Sequence, residues 1–177
     1  MEKINLISER LKISIFRPEN ITNTYLEALN DSSIIGLTEA RHQKWNLESA
    51  RKFIEQANIG NSKLFMVKLL DSDHPIGNIR LFNINKNHLH AELSFLFYDK
   101  SSWGNGYATE ALQTVLDYAQ KSVKLHRVFA DYYEINIASS KVFNKLNFRI
   151  EGKYKDHFKM PDGSFIDSIR VGKLLSN

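Results

Sequence analysis

The chain has 177 residues, no cysteine and a formal net charge of +4. A chain of this length suits one domain, here residues 1–177, because roughly 70% of its unfolded surface can be buried. The absence of cysteine excludes disulfide frameworks, cysteine-based zinc sites and covalent cysteine intermediates, and it fits a reducing, cytoplasmic setting. The basic residues are scattered along the chain, so the charge does not indicate a nucleic-acid partner.

Neither targeting nor membrane insertion is expected from the sequence. Charged residues interrupt every apolar run of the opening segment MEKINLISERLKISIF, so it contains no signal-peptide core. No stretch approaches the roughly 18 consecutive apolar residues that a spanning helix requires. We therefore expect a cytoplasmic protein without a membrane span.

The N-terminal half predicts one strand, two helices and an antiparallel meander. Residues 11–17 alternate apolar and polar side chains, which is typical of a half-buried strand. Residues 21–30 predict a short helix, and residues 46–60 predict a stronger one that Asn46 caps and Gly60 ends. Three further strands, joined by the turns DSDH and NKNH, are predicted at 63–70, 75–84 and 89–98.

The C-terminal half changes to an alternation of helices and strands. Apolar residues at helical spacing predict a helix over 108–119. The strand that ends near residue 98 and the strand predicted at 126–134 are joined by this helix, so they can be parallel. The fold class is therefore α/β, with a mixed and mostly antiparallel sheet flanked by helices. The remaining predictions are a helix at 137–147 and strands at 148–159 and 165–175.

The segment WGNGYA, at Trp103–Ala108, lies between a predicted strand and a predicted helix. The unpaired N–H groups and the dipole of a helix N-terminus favour an anion, and glycines let the backbone approach it closely. A turn that only joins two elements is the alternative. A Walker loop requires Gly-Lys-Ser/Thr, which is absent here. A dinucleotide fingerprint requires a third glycine, where Thr109 stands, and further βαβ units.

WGNGYATEAL resembles the acyl-coenzyme A loop of the GNAT superfamily of N-acetyltransferases, whose pattern Gln/Arg-x-x-Gly-x-Gly/Ala opens a helix. AEL, LHRVFA, NIASSKVFNKLNF and EGKYKDHF are similar in order and spacing to the ribosomal-protein-acetyltransferase-like (RimJ/RimL-type) branch. The likeness covers residues 11–175. YLEALND and LESARKFI also resemble branch members that acetylate nucleotide-linked amino sugars. In two departures, Ser101 replaces the Gln/Arg, and Asn147 replaces a glycine before Phe148.

The resemblance implies the GNAT fold, with acetyl-coenzyme A (acetyl-CoA) as co-substrate and no metal. Acetyl-CoA would lie where the strand ending near Tyr98 splays from the strand beginning near His126, with its pantetheine amides paired to backbone. A backbone N–H near Phe97 would hold the negative charge that develops on the acetyl oxygen. Asn136 would lie beside the pantetheine arm, although asparagine also favours a plain helix cap. The implied cofactor-binding residues are Leu96, Phe97, Tyr98, Trp103, Gly104, Asn105, Gly106, Tyr107, Ala108, Thr109, Asn136 and Phe143.

Without a cysteine nucleophile, we expect direct attack by an amine within a ternary complex. Glu92, which matches an acidic residue common in the branch, is the candidate general base if burial raises its pKa; a solvent-facing strand glutamate is the alternative. Ser139 is the candidate to protonate or solvate the leaving thiolate, or it is simply a polar helix residue. Many relatives have a tyrosine acid where Phe143 stands, so we expect Phe143 to pack against the acyl arm or the core. Reserve bases are Asp131, Glu134, Asp167 and a water chain.

The remaining expectations concern metals, partners and the acceptor. His88 and His90 share one strand face but lack a third ligand at convincing spacing, so we expect surface or substrate-rim histidines. The expected partners are acetyl-CoA and an amine acceptor, with no nucleic acid and no membrane, in a monomer or homodimer. The favoured acceptor is a small amine such as a nucleotide-linked amino sugar. The alternatives are a protein N-terminus, or a non-catalytic acyl-CoA-binding module. The aromatic residues expected mostly in the core are Phe95, Phe97, Tyr98, Tyr132 and Tyr133.

Overall fold

The computed structural model describes residues 4–175. Its centre is an eight-stranded sheet with the strand order β1-β2-β3-β4-β5-β6-β8-β7. The strands are β1 (Asn5–Ile7), β2 (Leu11–Ile15), β3 (Lys63–Leu69), β4 (Pro75–Asn85), β5 (His90–Phe97), β6 (Arg127–Tyr133), β7 (Arg149–Lys159) and β8 (Phe165–Leu174).

Helices cover both faces of this sheet. Within residues 4–175 they are α1 (Asn23–Ala28), α2 (Ser32–Ile35), α3 (Leu47–Gln56), α4 (Tyr107–Lys121) and α5 (Ile137–Lys145), with short 3₁₀ turns at Pro18–Asn20, Glu39–His42 and Lys100–Ser102. Every strand and helix predicted from the sequence is present. The first predicted strand is shorter, and α3 ends at Gln56, before Gly60. The elements that sequence reasoning missed are β1, α2 and the 3₁₀ turns.

One pair of neighbouring strands in the described sheet, β5 and β6, is parallel, as predicted. Their pairing runs only from His90↔Arg127 to Glu92↔Phe129. On its other side β5 stays paired with β4 as far as Gly77↔Phe97. The C-terminal half of β5 therefore has a partner on one side and a gap on the other, which confirms the predicted splay.

The two faces of the sheet carry separate apolar layers, because side chains alternate along each strand. On one face, α4 presents buried residues at helical spacing, as predicted, and they join one core cluster with the strands. Each fully buried aliphatic side chain contributes about 1.5–3 kcal/mol. On the other face, α1 and α3 form a second cluster with strand residues. Its members include Tyr25, Ala50, Ile54, Leu64, Met66 and Tyr98.

Asparagine caps and a left-handed asparagine fix the helix ends around the sheet. The side chain of Asn46 accepts a hydrogen bond from the Ser49 N–H at 2.9 Å, so the predicted cap of α3 is confirmed. Asn147, which follows α5, has φ +58°, the conformation that a glycine normally supplies. The departure noted at Asn147 is therefore accommodated. None of the helices in the described part of the chain is long and apolar enough to cross a membrane.

Candidate active site

The segment between β5 and α4 makes its turn with two left-handed glycines. Gly104 has φ +80° and Gly106 has φ +81°. Gly106 is the N-cap of α4 and provides no side-chain cap. The first-turn N–H groups that follow, at Tyr107, Ala108 and Thr109, have no intrahelical acceptor because of helix geometry. The turn thus presents a row of backbone donors and the positive end of the helix dipole.

Arg10 and Glu110, which the sequence reasoning did not identify, tie this turn to the start of β2. Glu110 accepts hydrogen bonds from the Arg10 backbone N–H at 2.8 Å, from Arg10 Nε at 2.7 Å and from Ser8 Oγ at 2.7 Å. Burial alone would raise the pKa of Glu110, but these hydrogen bonds outweigh it and lower the pKa below its ordinary value. The acid in the first turn of α4 was a visible signal, but its partner lies far away in sequence.

A cleft of about 480 Å³ opens beside the turn. Its walls come from the turn, the end of β5, one side of α5 along its whole length, and the segment from α2 to Thr38. A cavity of this size falls in the usual range for small-molecule sites. The predicted site residues that line it are Leu96, Phe97, Trp103, Gly104, Gly106, Tyr107, Ala108, Thr109, Asn136 and Ser139.

Three predicted cofactor-binding residues lie outside this lining. Tyr98 is buried on the opposite face of the sheet, with its ring centroid 5.2 Å from that of Tyr25. The amide nitrogen of Asn105 turns back toward the Ser102 carbonyl oxygen at 3.3 Å. Phe143 is 3% exposed and packs in an aromatic cluster, so it takes the core position rather than the cleft. The rings around Phe143 are Phe95, Tyr132 and Phe148.

The backbone at the end of β5 faces the cleft at alternate residues. The Tyr98 N–H donates to the Ile76 carbonyl of the β4 side at 3.0 Å. Since backbone groups alternate in direction along a strand, the N–H and C=O of Phe95 and Phe97 point into the gap beside β6. Trp103 donates its indole N–H to the Phe97 carbonyl at 2.9 Å. This contact places Trp103 at the mouth of the gap.

The charged side chains among the described cleft residues are both cationic. Lys141 and Lys145 lie one helical turn apart on α5 and face the cleft. At the N-terminus of α5, the side chain of Asn136 accepts from the Ser139 N–H at 3.0 Å, so the cap reading of Asn136 is confirmed. Backbone donors at one end and ammonium groups along one wall suit a ligand that carries phosphates.

Glu92 lies nearer the start of β5, on the face that carries Leu96 and Tyr98, and does not line the cleft. It is half-buried, and its carboxylate accepts a hydrogen bond from the Asn83 amide at 3.1 Å. Leu96, four residues further on the same face, does line the cleft, which puts Glu92 about 13 Å away along the strand. Glu92 therefore does not contact a group at the end of β5 directly, and proton transfer between them requires a chain of waters.

The reserve carboxylates are engaged in ion pairs. Asp131 receives two hydrogen bonds from Arg170, at 2.9 and 2.6 Å. Lys153 contacts both Asp167, at 2.8 Å, and Glu134, at 2.7 Å. The hydrogen bond from Lys153 lowers the pKa of Asp167, which makes Asp167 a weaker proton acceptor.

His88 and His90 stack with ring centroids 6.1 Å apart and nearly parallel planes. Within residues 4–175, no cluster of three histidine, aspartate or glutamate side chains is arranged to hold a metal ion. The pair thus offers two imidazoles without a third ligand.

Comparison with known proteins decides the family. The family described as "Acetyltransferase (GNAT) domain" matches residues 10–149. This chain belongs to the GNAT acetyltransferases. The match includes the glycine turn, the splayed strands and the Asn136–Ser139 unit. The resemblance inferred from WGNGYATEAL is therefore confirmed, together with the mixed-sheet fold.

Curated relatives match this GNAT chain over part of their length. It is 34% identical over 108 residues to the uncharacterized N-acetyltransferase YnaD of Bacillus subtilis, covering 61% of this chain and 62% of YnaD. It is 31% identical over 109 residues to the ribosomal protein uS5-alanine N-acetyltransferase of Escherichia coli, covering 59% of this chain and 55% of that enzyme. The alignments thus span less than two thirds of either relative.

Solved structures match over nearly the whole GNAT chain. An acetyltransferase (GNAT family) from Bacillus anthracis superposes with a TM-score of 0.79 at 25% identity, covering 97% of this chain and 98% of that one. RimL, the ribosomal L7/L12 α-N-protein acetyltransferase in complex with coenzyme A, superposes with a TM-score of 0.85 at 16% identity and 98% coverage of both chains. At 16% identity the second likeness concerns the fold alone.

A bridge in this GNAT protein joins the segment after α2 to β6 and to the β7–β8 hairpin. The Tyr133 hydroxyl donates to Glu39, and Arg41 Nη2 donates to the Lys159 carbonyl at 2.7 Å. The Arg41 guanidinium also lies 5.0 Å from the centroid of the Tyr133 ring, which stacks on Phe158. Burial and the Glu39 contact raise the pKa of Tyr133, so its hydroxyl stays protonated as the donor.

Proposed function

We propose that this GNAT protein is an acetyl-CoA-dependent N-acetyltransferase that acetylates a small primary amine by direct attack in a ternary complex. The observation that carries the proposal is the cleft that joins the glycine turn to the unpaired end of β5. Bound acetyl-CoA supplies the acetyl group as an activated thioester. The protein's part is to bind, to orient and to move protons.

Phosphate binding falls to the turn and to α5. The N–H groups that follow Gly106 donate to the pyrophosphate oxygens, and the α4 dipole adds to this attraction. The left-handed glycines at 104 and 106 have no side chain, so the phosphates can approach the backbone closely there. Lys141 and Lys145 add two positive charges along the α5 wall of the cleft.

The gap beside β5 binds the pantetheine arm and the acetyl group. Phe95 directs its backbone N–H and C=O into this gap, and these groups match the donors and acceptors of the pantetheine amides. The Phe97 N–H stabilises the negative charge that develops on the acetyl oxygen during attack. Donors of this kind are worth about 10²–10³ in kcat in other acyl-transfer enzymes.

Proton transfer is assigned to Glu92 and Ser139. Glu92 lies beyond direct reach of the cleft, so it takes the proton of the substrate's ammonium group through a chain of waters, which leaves a neutral amine to attack the thioester. Ser139 lines the cleft in the first turn of α5 and donates to, or solvates, the leaving thiolate. Positioned acid–base groups contribute roughly 10²–10⁴-fold to a rate.

The acceptor is proposed to be small because of the bridge formed by Glu39, Arg41, Tyr133 and Lys159. These contacts span the side of the sheet that carries Glu92, so an extended peptide would have to break them to lie across it. Nucleotide-linked amino sugars are one class of small amine that the N-terminal segments favour.

A protein N-terminus is the rival acceptor, and the 31% identity to the uS5-alanine N-acetyltransferase favours it. A thermal-shift screen of amino-sugar nucleotides against N-terminal peptides separates the two classes, with acetyl-CoA present in every sample. We expect stabilisation by the amino-sugar nucleotides. Stabilisation by peptides alone would reverse the assignment.

The enzymatic proposal is tested by titrating the wild type with acetyl-CoA in a calorimeter and measuring thiol release with a panel of amines. We expect binding and turnover; absence of any binding would refute the proposal. Binding without turnover with any amine would instead support a non-catalytic acyl-CoA-binding module.

The role of Ser139 is tested by Ser139→Ala, with Ser140→Ala as the matched control. Ser140 is the next residue on α5 and lines a separate, smaller cavity. We expect Ser139→Ala to lower kcat without changing the acetyl-CoA dissociation constant, and Ser140→Ala to leave both unchanged. An unchanged kcat in Ser139→Ala would remove Ser139 from the mechanism.

A further inference from the structure

Arg10 lies immediately before β2 and outside the cleft, yet it contacts Asn105, Tyr107 and Glu110 in the glycine turn and α4. Its Nη1 donates to the Asn105 carbonyl oxygen at 3.1 Å, and its guanidinium carbon lies 4.5 Å from the centroid of the Tyr107 ring. Glu110 holds both the backbone and the side chain of Arg10. The guanidinium therefore spans from the first turn of α4 back to the residue before Gly106.

The contact with the Asn105 carbonyl sets the direction of the next N–H group. In a trans peptide the carbonyl of one residue and the N–H of the next point in opposite directions. No cis peptide bond occurs in the described chain. Because the Asn105 carbonyl points to Arg10, the Gly106 N–H points away from Arg10. Gly106 itself lines the cleft, whereas Arg10 does not.

We propose that Arg10 is a positioning residue for coenzyme A: it fixes the Asn105–Gly106 peptide so that the Gly106 N–H faces the phosphates, without touching them itself. Glu110 serves this role by holding the guanidinium through a hydrogen bond from Nε and an ion pair with Nη2, and by accepting a second hydrogen bond from the Arg10 backbone N–H. Left-handed glycine has few steric barriers of its own, so the peptide needs an external contact to select one orientation. The inference rests on the coenzyme A site proposed above.

The test compares Arg10→Met with Lys12→Met. Lys12 is a matched control because its side chain is 42% exposed, like that of Arg10, and pairs with an acid, Asp73, but makes no contact with the turn. Both variants lose one cation and keep an unbranched side chain. Calorimetry gives dissociation constants for coenzyme A and 3′-dephospho-coenzyme A. Steady-state kinetics with acetyl-CoA and with S-acetylpantetheine, which has no phosphate, give kcat and KM.

We expect Arg10→Met to raise the dissociation constants of coenzyme A and of its 3′-dephospho form by the same factor. The factor is about ten-fold, the size expected for the loss of one hydrogen bond to a charged group. The kcat/KM for S-acetylpantetheine and the KM for the amine should stay unchanged, as should every constant in Lys12→Met. A loss confined to coenzyme A would mean that Arg10 binds the 3′-phosphate directly, and would overturn the inference. Equal losses with coenzyme A, with its 3′-dephospho form and with S-acetylpantetheine would also overturn the inference, as would no loss with any of them.

Two further variants keep the test valid if Arg10→Met unfolds. Arg10→Lys retains the charge but not the planar guanidinium. It should therefore raise the dissociation constants of coenzyme A and of 3′-dephospho-coenzyme A by the same factor. Glu110→Gln should reproduce the pattern of Arg10→Met, and the double variant should be no weaker than either single one, because both act on one peptide. Fully additive losses would contradict this. If the wild type binds no coenzyme A, the proposed function itself fails; if the wild type and Arg10→Lys bind it equally, only the role of Arg10 fails.

Discussion

The variant Gly106→Ala tests whether phosphate binding depends on the left-handed backbone conformation of the turn. Gly106 has φ +81°, and the nearest atom to an added Cβ would be Arg10 Nη2 at 3.7 Å, an ordinary contact. Steric overlap is therefore not the issue. The cost is conformational, because an L-residue in the left-handed region loses about 1–2 kcal/mol.

This strain can be expressed in two ways, and both can be measured. If the turn keeps its conformation, the free energy of unfolding falls by the full amount, and Tm falls by roughly 2–8 °C for a chain of this size. If the turn relaxes in the free protein, the strain returns on binding, and the dissociation constant for coenzyme A rises by about 5–30-fold. The two effects share one total of about 1–2 kcal/mol.

Gly60→Ala is the matched control. Gly60 has φ +63°, nothing lies within 4 Å of its added Cβ, and it follows α3 away from the cleft. It should lower Tm alone. Gly106→Asn should recover most of the loss, because asparagine tolerates the left-handed region. Differential scanning calorimetry and coenzyme A titration of the three variants provide the data. A Gly106→Ala protein with wild-type Tm and wild-type affinity, or a Gly60→Ala protein with equally weakened affinity, would refute the reasoning.

Three further predictions address catalysis, packing and pH. Glu92→Gln should lower kcat by about 10²-fold or more while the acetyl-CoA dissociation constant stays constant; steady-state rates with an unchanged kcat would exclude Glu92 as the base. Phe143→Ala, at a position 3% exposed, should cost about 3–5 kcal/mol in urea unfolding, and a cost below about 1 kcal/mol would show that its aromatic cluster is not tightly packed. Hydrogen bonds from Lys100 and Ser33 lower the pKa of Asp31 to about 2, from an ordinary 3.8. The Asp31 carboxylate therefore stabilises the fold above pH 3.8, and this contribution is lost as the pH falls toward 2. Asp31→Asn keeps the α2 cap without the charge, so Tm measured from pH 7 to pH 2 should fall less steeply between pH 4 and 2 in the variant; identical profiles would contradict the assignment.

Local patterns were sufficient to predict most of the fold and the phosphate turn. Apolar runs and turn residues in the sequence predicted every strand from β2 to β8. The capping preference of asparagine predicted the caps at Asn46 and Asn136. The exceptions are short. α2 has four residues, too few for any periodicity, and β1 has three. β1 forms by pairing with β2, and α2 buries Ile35 in an apolar cluster with other elements; the spacing of apolar residues within such short segments records neither contact.

The candidate site was predictable only where one segment supplies all of the geometry. The positive φ values at Gly104 and Gly106 follow from the glycines themselves. The Arg10–Glu110 contact joins residues 100 positions apart, and nothing local distinguishes that arginine from the others. Likewise, a strand glutamate such as Glu92 is assigned to a face by its register with β4 and β6, and its distance from the cleft appears only once both neighbours are placed.

Trp103 also makes the cleft optically accessible. The protein has two tryptophans, and Trp45 is 8% exposed in the apolar layer that α1 and α3 form on the other face of the sheet. Trp103 is 47% exposed, with its indole bonded to the Phe97 carbonyl at the edge of the gap. Any ligand that takes over that carbonyl must alter the indole's surroundings while those of Trp45 stay constant. The emission of this single side chain therefore reports occupancy in real time, without a label, and gives association and dissociation rates directly.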